Sequence, residues 1–274
     1  MLIVGLGKAG CKIAELFKKH NQYHVELIDE GKGIKKFSNV EDYDSVNYRP
    51  RKKAIKSATE GILFVCGSGK VSGATLRILD GLRGVEMKVV YVYPDLEFSS
   101  TKEKKRNRVH FNVLQQYARS GLIKELILLD NKQLLDHVGH GTVLNYFDKV
   151  NEFIYTVLHT LNYCDNVEPE FDARQDLKEI SRISTIGWCP FEESEEKMFF
   201  PLDNITETSY IISINEEDLV SDVSVLPNVK SMVKQNKNLN RETSFAIWST
   251  EETESYYYTK HYTHFIQEIK KEEE

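Results

Sequence analysis

Short apolar runs alternate with stripes at helical spacing through the first half of the chain. LIVG (Leu2 to Gly5) reads as a buried strand, and Lys12 to His20 as a helix carrying Ile13, Leu16 and Phe17 on one stripe. HVELID (His24 to Asp29) is a second strand. Residues 31–60 are charged and poorly periodic, with Arg49, Pro50, Arg51, Lys52 and Lys53 in a row, and read mostly as loop. GILFVCG (Gly61 to Gly67) resumes as a strand, Gly73 to Leu82 as a helix, and KVVYVYP as a strand. Residues 104–120 place Val109, Val113, Leu114 and Tyr117 at helical spacing, and LIKELILLD (Leu122 to Asp130) is another strand. Strands alternating with helices predict an α/β sheet covered on both faces.

From Thr142 to Tyr163, Leu144, Phe147, Val150, Ile154, Val157, Leu158 and Leu161 keep the 3.6-residue period. At about 1.5 Å per residue that is a helix of roughly 33 Å, the height of a domain. A polar, acidic loop (Asp165 to Asp176) follows. SYIISI (Ser209 to Ile214), SFAIW (Ser244 to Trp248) and ESYYYTKHYTH (Glu254 to His264) then read as strands, with a helix near Leu226 to Gln235. A length of 274 residues suits two lobes better than one core. The expected division is an α/β domain over 1–140, a central helix over 141–164, and an α+β domain over 165–274. Lys270 to Glu274 reads as a frayed end.

At 41% hydrophobic and 28% charged residues, the composition is that of an ordinary soluble protein. The apolar runs fall far short of the roughly 20 residues that span a bilayer. Met1 is followed at once by a strand-like run with no basic leader, and Cys11, Cys66, Cys164 and Cys189 form neither a CxxC nor a zinc spacing. A cytoplasmic protein with reduced thiols and no structural metal site is expected. Charge divides unevenly. Residues 1–136 carry 24 Lys and Arg against 16 Asp and Glu, and residues 137–274 carry 12 against 26, making halves of +8 and −14. A basic half suits a phosphate ligand, and a polar protomer can stack head to tail; an imbalance spread over solvated faces is the plainer account.

GLGKAG (Gly5, Gly7, Gly10) satisfies GxGxxG between a strand and a helix, and Asp29 ends the next strand. Alone, this is a dinucleotide fingerprint, with amides and a helix dipole receiving a pyrophosphate and the acid a ribose. The same segment, GLGKAGCKIAELF, resembles the opening phosphate loop of the tubulin and FtsZ superfamily. GSGKVSGAT (Gly67 to Thr75) stands where that superfamily carries G-G-G-T-G-T-G; Gly69, Ser72 and Gly73 match, while Lys70, Val71, Ala74 and Thr75 depart from it. A lysine can supply a charge-assisted phosphate contact, but valine cannot. KVVYVYPDLEFSSTKEKKRNR resembles the FtsZ strand that ends in a Pro- and Phe-containing loop and enters a helix through E-G-K-K-R; Phe98 and then Glu103, Lys104, Lys105 and Arg106 are the counterparts. LILLDNKQLL resembles I-P-N-D-K-L-L, and FDKVNEF resembles F-x-x-A-[ND]-E-V.

The resemblance covers essentially the whole chain and rests on the order of these motifs. It implies a Rossmann-like GTP-binding lobe, a long central helix and a smaller α+β C-terminal lobe. By the same resemblance, Gly5, Gly7, Lys8, Gly10, Cys11, Gly69, Lys70, Ser72, Gly73, Glu103 and Arg106 line a GTP/GDP site with Mg²⁺. Asn131 meets the base or ribose, Phe147 stacks on the base, and Asn151, four residues on, bonds its edge. The family's N-x-D-x-x-D corresponds to EPEFDARQDLKEI (Glu168 to Ile180), with Glu170 where an Asn is usual and Asp172 and Asp176 as the catalytic acids that orient water toward the next protomer's nucleotide. Read without the family, this is an acidic loop whose Asp176 caps a following helix. The partners implied are further copies of the chain, and an adaptor protein; no direct nucleic-acid binding is expected. Two alternatives stand beside this GTPase reading: a member that has lost hydrolysis and acts structurally, motivated by Lys70 and Val71, and an NAD-dependent oxidoreductase, motivated by GxGxxG and Asp29. For the oxidoreductase, His261 and His264 lie in a Tyr-rich strand that reads as sheet.

Overall fold

The computed structural model describes residues 1–50, 58–138, 145–191, 195–235, 241–251 and 255–268. Arg51 to Lys53, the expected helix start at Thr142 to Leu144, Glu254, and the terminal Lys270 to Glu274 lie outside them. The chain forms two compact units, the described residues of Met1–Val157 with Ile266–Glu274, and Leu158–Phe265.

The first unit is built on six parallel strands: β1 (Leu2–Leu6), β2 (His24–Glu30), β3 (Gly33–Ile34), β4 (Glu60–Cys66), β5 (Glu86–Tyr93) and β6 (Glu125–Asp130). They lie in the order β3-β2-β1-β4-β5-β6. Burial on both faces explains why β1, β4 and β5 are near-continuous apolar runs rather than alternating ones. Between them stand α1 (Gly7–Leu16), α2 (Thr75–Gly81), α3 (Thr101–Arg119) and α4 (Asn131–Val138). The helix expected at Lys12 to His20 begins at Gly7 and gives way to a 3-10 turn at Phe17–Lys19. Helical periodicity could not show that onset, because glycines contribute nothing to a stripe. The segment read as loop over 31–60 contains β3 and a 3-10 turn at Glu41–Ser45 around the fully buried Tyr43. The helix expected at Gly73 splits into a 3-10 turn, Lys70–Ala74, and α2.

α5 (Tyr146–Asn166) runs through the boundary of the units, its buried stripe being Val150, Ile154, Val157, Leu158, Leu161 and Cys164. In the second unit, β8 (Ile183–Pro190), β10 (Glu207–Asn215), β11 (Glu242–Thr250) and β12 (Tyr256–Thr263) form a mixed sheet ordered β8-β12-β10-β11-β7, where β7 is Phe171–Asp172. β9 (Lys197–Met198) pairs β8. Helices α6 (Glu216–Ser221) and α7 (Val225–Gln235) complete it. Val225, Val229 and Val233 of α7 enter a core with Ile212, Ile214, Phe245, Ile247 and Tyr257. β8 escapes the sequence reading because ISTIGWCP mixes small and polar residues; its Gly187 has no side chain, which leaves room for the Glu196 carboxylate and Thr259 hydroxyl.

Candidate functional site at the turning point of the parallel sheet

The order of the first sheet reverses between β1 and β4. In an open parallel sheet, the connections leave in opposite directions there and open a crevice at the carboxyl ends of the two strands. Both glycine-containing loops sit at that point, the first following Leu6 and the second following Cys66. In the first loop, a side chain on Gly5 would run into the Gly10 carbonyl, and one on Gly10 would run into the Phe64 carbonyl of β4. Gly7 has φ +71°, a conformation that L residues avoid. These constraints let α1 start directly from β1 and press against β4. No side chain caps the start of α1, and no acid lies in its first turn. Its opening amides therefore keep their donor capacity and the positive end of the helix dipole. Lys8 is exposed beside them.

Cys11 is half-buried, its thiol 3.4 Å from the Gly5 carbonyl oxygen and 3.5 Å from that of Ile28. Burial, reinforced by Asp29, pushes this thiol up to about 11, so it is no nucleophile at neutral pH. Asp29, the acid of the dinucleotide fingerprint, accepts from the Glu30 amide at 2.8 Å.

The second loop lies against the first: a Cβ on Gly7 would sit 3.9 Å from Val71 Cβ. Gly69 has φ −61° and only an ordinary contact beside its missing Cβ, so its backbone does not demand glycine. Ser72 is buried, and its hydroxyl donates within the loop to the Gly69 carbonyl at 2.5 Å. Asp44 reaches in from its 3-10 turn to the space a side chain on Gly73 would need. Lys70 is exposed.

α3 approaches this loop with Arg106, whose Nη1 donates to the Ser68 carbonyl at 3.2 Å. Glu103 has a different task. It accepts from the Ser100 amide at 2.8 Å, and Ser100 Oγ accepts from the Glu103 amide in return, closing a capping box on α3. The Ser100 hydroxyl and amide hold the Glu103 carboxyl below its ordinary range. The Ser-x-x-Glu spacing was the available signal for this pairing, and the reading by family motif passed over it. His110 and Asn107, also turned toward the second loop, had no sequence signal beyond His110 standing one turn from Arg106.

Asn131 opens α4 at the end of β6, where Asp130 accepts from the Lys132 amide at 2.8 Å. Phe147, expected on the apolar stripe as well as in the site, is 61% exposed at the start of α5, whereas Asn151 is buried. Lys12 of α1 pairs with Asp148 at 2.5 Å, which ties this end of α5 to the helix that follows the first loop. The structure thus brings together the two loops and Arg106, and links the Phe147 turn to α1. Asn131 lies two strands from β4, and Glu103 is engaged in its cap.

In the second unit, Asp172 stands on the edge strand β7, and Arg174 grips it through Nη2 at 2.6 Å and Nε at 3.0 Å. That bond holds the Asp172 carboxyl below its usual range, which weakens it as a base. Glu170 and Asp176 are exposed. Asp176 lies in irregular chain with no helix following it, contrary to the expected cap. His261 is buried, with Nε2 2.8 Å from Glu196 and Nδ1 3.0 Å from Thr208, within the sheet as its strand pattern suggested. Among the described residues, no three His, Cys, Asp or Glu side chains gather as a metal site, and no helix is long and apolar enough to cross a membrane.

No protein-family model matches the sequence, and no curated protein matches it significantly. Solved structures do match. TubZ from Bacillus thuringiensis serovar israelensis, in a GTPγS-form protofilament, superposes with a TM-score of 0.66 at 14% identity over 95% of this chain and 85% of that one. FtsZ from M. jannaschii gives 0.66 at 12% identity, over 96% and 87%. CetZ from Methanosaeta thermophila gives 0.62 at 11%, over 96% and 86%. The chain therefore has the tubulin/FtsZ fold, as its ordered motifs implied.

Proposed function

We propose that this chain, built on the tubulin/FtsZ fold, binds GTP and GDP at the β1/β4 crevice, hydrolyses GTP and assembles head to tail into filaments. The observation that carries the reading is the meeting of two loops at the turning point of a parallel sheet, with an uncapped helix start on one and Arg106 on the other. Backbone amides and the dipole of α1 would receive the phosphates. Gly5, Gly7 and Gly10 keep the backbone close enough for that approach, and Lys8 and Lys70 add charge at the rim. Phe147 is an exposed aromatic face for a base, with Asn151 and Asn131 as polar partners. Mg²⁺ would ride on the nucleotide phosphates, the usual way this ion is held in nucleotide sites.

In hydrolysis, the nucleotide of one protomer would be completed by Asp172 and Asp176 of the next, orienting water toward the γ-phosphate. Relatives with this fold are described as protofilaments and as two- and four-stranded filaments, which supports assembly of this chain with itself. A cytoskeletal role in the cytoplasm, with an adaptor protein as a further partner, belongs to the same proposal. A specific observation favours a second reading, binding and assembly without turnover: Arg174 already neutralises Asp172.

The test is a titration of nucleotide-stripped protein with a fluorescent GTP analogue, competed by GTP, ATP and NAD, followed by phosphate release and sedimentation. Displacement by GTP alone supports the proposal, and displacement by NAD overturns it for a dehydrogenase. Replacing Asp172 and Asp176 together with Ala should stop phosphate release while leaving GTP affinity nearly unchanged. Unaltered turnover in that variant would reject the catalytic assignment.

A further inference from the structure

Three polar side chains of α3 turn toward the second loop. Arg106 holds the Ser68 carbonyl. Asn107, fully buried, accepts from the Tyr91 hydroxyl at 2.7 Å, and the pair fills the space beside Gly67. His110, one turn beyond Arg106, has Nδ1 3.2 Å from the Ser72 hydroxyl. A glycine-rich loop can wrap a phosphate with its own amides. This loop carries Lys70 and Val71, and α3 bonds to it at Ser68 and Ser72.

We propose that His110 is a positioning residue of the nucleotide site, fixing the second loop through Ser72, and that it takes up a proton when a nucleotide phosphate settles there. The inference rests on the nucleotide reading above. His110 is half-buried, and burial pushes its imidazole below the ordinary range; Asp44 and Gly67 pull the other way, and Arg106 adds to the depression. Asp44, from the 3-10 turn packed on the loop, and Arg106, from its own helix, are charged groups whose fields reach it. An arriving phosphate adds negative charge and favours imidazolium. The sign follows by linkage. Binding raises the affinity of His110 for its proton, so the gain in nucleotide affinity is complete below the free-state value and vanishes as pH rises through the bound-state value.

The experiment is calorimetric titration of the full chain with GTP at about pH 6 and about pH 8, across the range where imidazole titrates, in buffers of different ionisation enthalpy. Wild type is compared with His110→Gln, which keeps a hydrogen-bonding group without the titration, and with His110→Ala. The terminal phosphate itself titrates near pH 6 (about), but it is common to all three proteins and cancels in the comparison. Wild type should take up more protons than His110→Gln, and its affinity advantage should grow severalfold toward the lower pH, the limit for one proton being about tenfold per pH unit. His110→Ala should bind more weakly at both values, with Gln restoring affinity at the higher one. Equal proton uptake and equal pH slopes in wild type and His110→Gln would overturn the proposal while leaving the nucleotide site intact. Failure of wild type to bind GTP would overturn both. If His110→Ala fails to fold, the Gln comparison decides.

Discussion

Gly10→Ala tests whether the first loop is shaped by close packing of backbone. The substitution gains helix propensity, about 1 kcal/mol for Ala over Gly in a helix. Against this, the new Cβ would strike the Phe64 carbonyl oxygen of β4, a backbone atom in the middle of a parallel ladder. Neither side can relieve the contact by turning a side chain. α1 must lift from the sheet, loosening the buried Ile13, Ala14 and Phe17. Overpacking of this kind costs about 1–3 kcal/mol, and the rigid neighbour places it toward the upper end, for a net loss of about 1–2 kcal/mol. With a urea slope of about 1–3 kcal/mol/M, the midpoint should fall by about 0.3–2 M. The assay is urea unfolding followed by far-UV circular dichroism, because both tryptophans, Trp188 and Trp248, lie in the other unit. Gly69→Ala is the internal control: its nearest neighbour is an ordinary 3.5 Å away and its φ is −61°. It should stay within about 0.5 kcal/mol of wild type. An unchanged or raised midpoint in Gly10→Ala would refute the packing argument.

Ser100→Ala removes the capping box of α3 and should cost about 1 kcal/mol, read as a lower thermal midpoint. Glu103→Gln keeps an acceptor for the Ser100 amide and should lose less. Phe147→Ala should leave stability unchanged, since the ring is exposed, and weaken GTP binding by about 5- to 150-fold, a stacking loss of about 1–3 kcal/mol; equal affinity would remove Phe147 from the site. Burial alone would raise the Glu196 carboxyl, but bonds from His261 and Thr259 and the charge of Arg241 outweigh it and hold the group below its ordinary 4.5. Its contribution is therefore complete above about pH 4.5 and is lost as the pH falls through the depressed folded value. Glu196→Gln should destabilise by about 1–3 kcal/mol at pH 7 and flatten the acid limb of stability against pH.

The parts of the fold legible in the sequence are those written in local periodicity. β1, β4 and β5 are near-continuous apolar runs because both faces of the sheet are covered, and α7 declares itself by Val225, Val229 and Val233. β8 was illegible for a physical reason. Its Gly187, Ser184 and Thr185 are chosen by what lies across from them, the Glu196 carboxylate and the polar row of Thr208 and His261, and no local pattern records that. The start of α1 was hidden for a related reason, since Gly7 and Gly10 are fixed by backbone conformation and by Phe64, fifty-odd residues away (about 54).

The candidate site divides along the same line, and Glu103 and Arg106 show why. They stand three residues apart in one motif, on one helix, and the motif assigns both to the nucleotide. A carboxylate at the third position of a helix whose cap is serine has a nearer partner, and the reciprocal bonds with Ser100 claim it. A guanidinium one turn on has no unsatisfied amide to serve and is long enough to reach the Ser68 carbonyl. The two side chains thus part according to which hydrogen-bonding groups the helix start leaves open. Motif order can locate a crevice, because the crevice is made by strand order and glycine. Assigning each polar side chain within it requires knowing what else competes for that side chain, which is why Arg106 and His110, both bonded to the second loop, are the stronger α3 candidates for work at the phosphate.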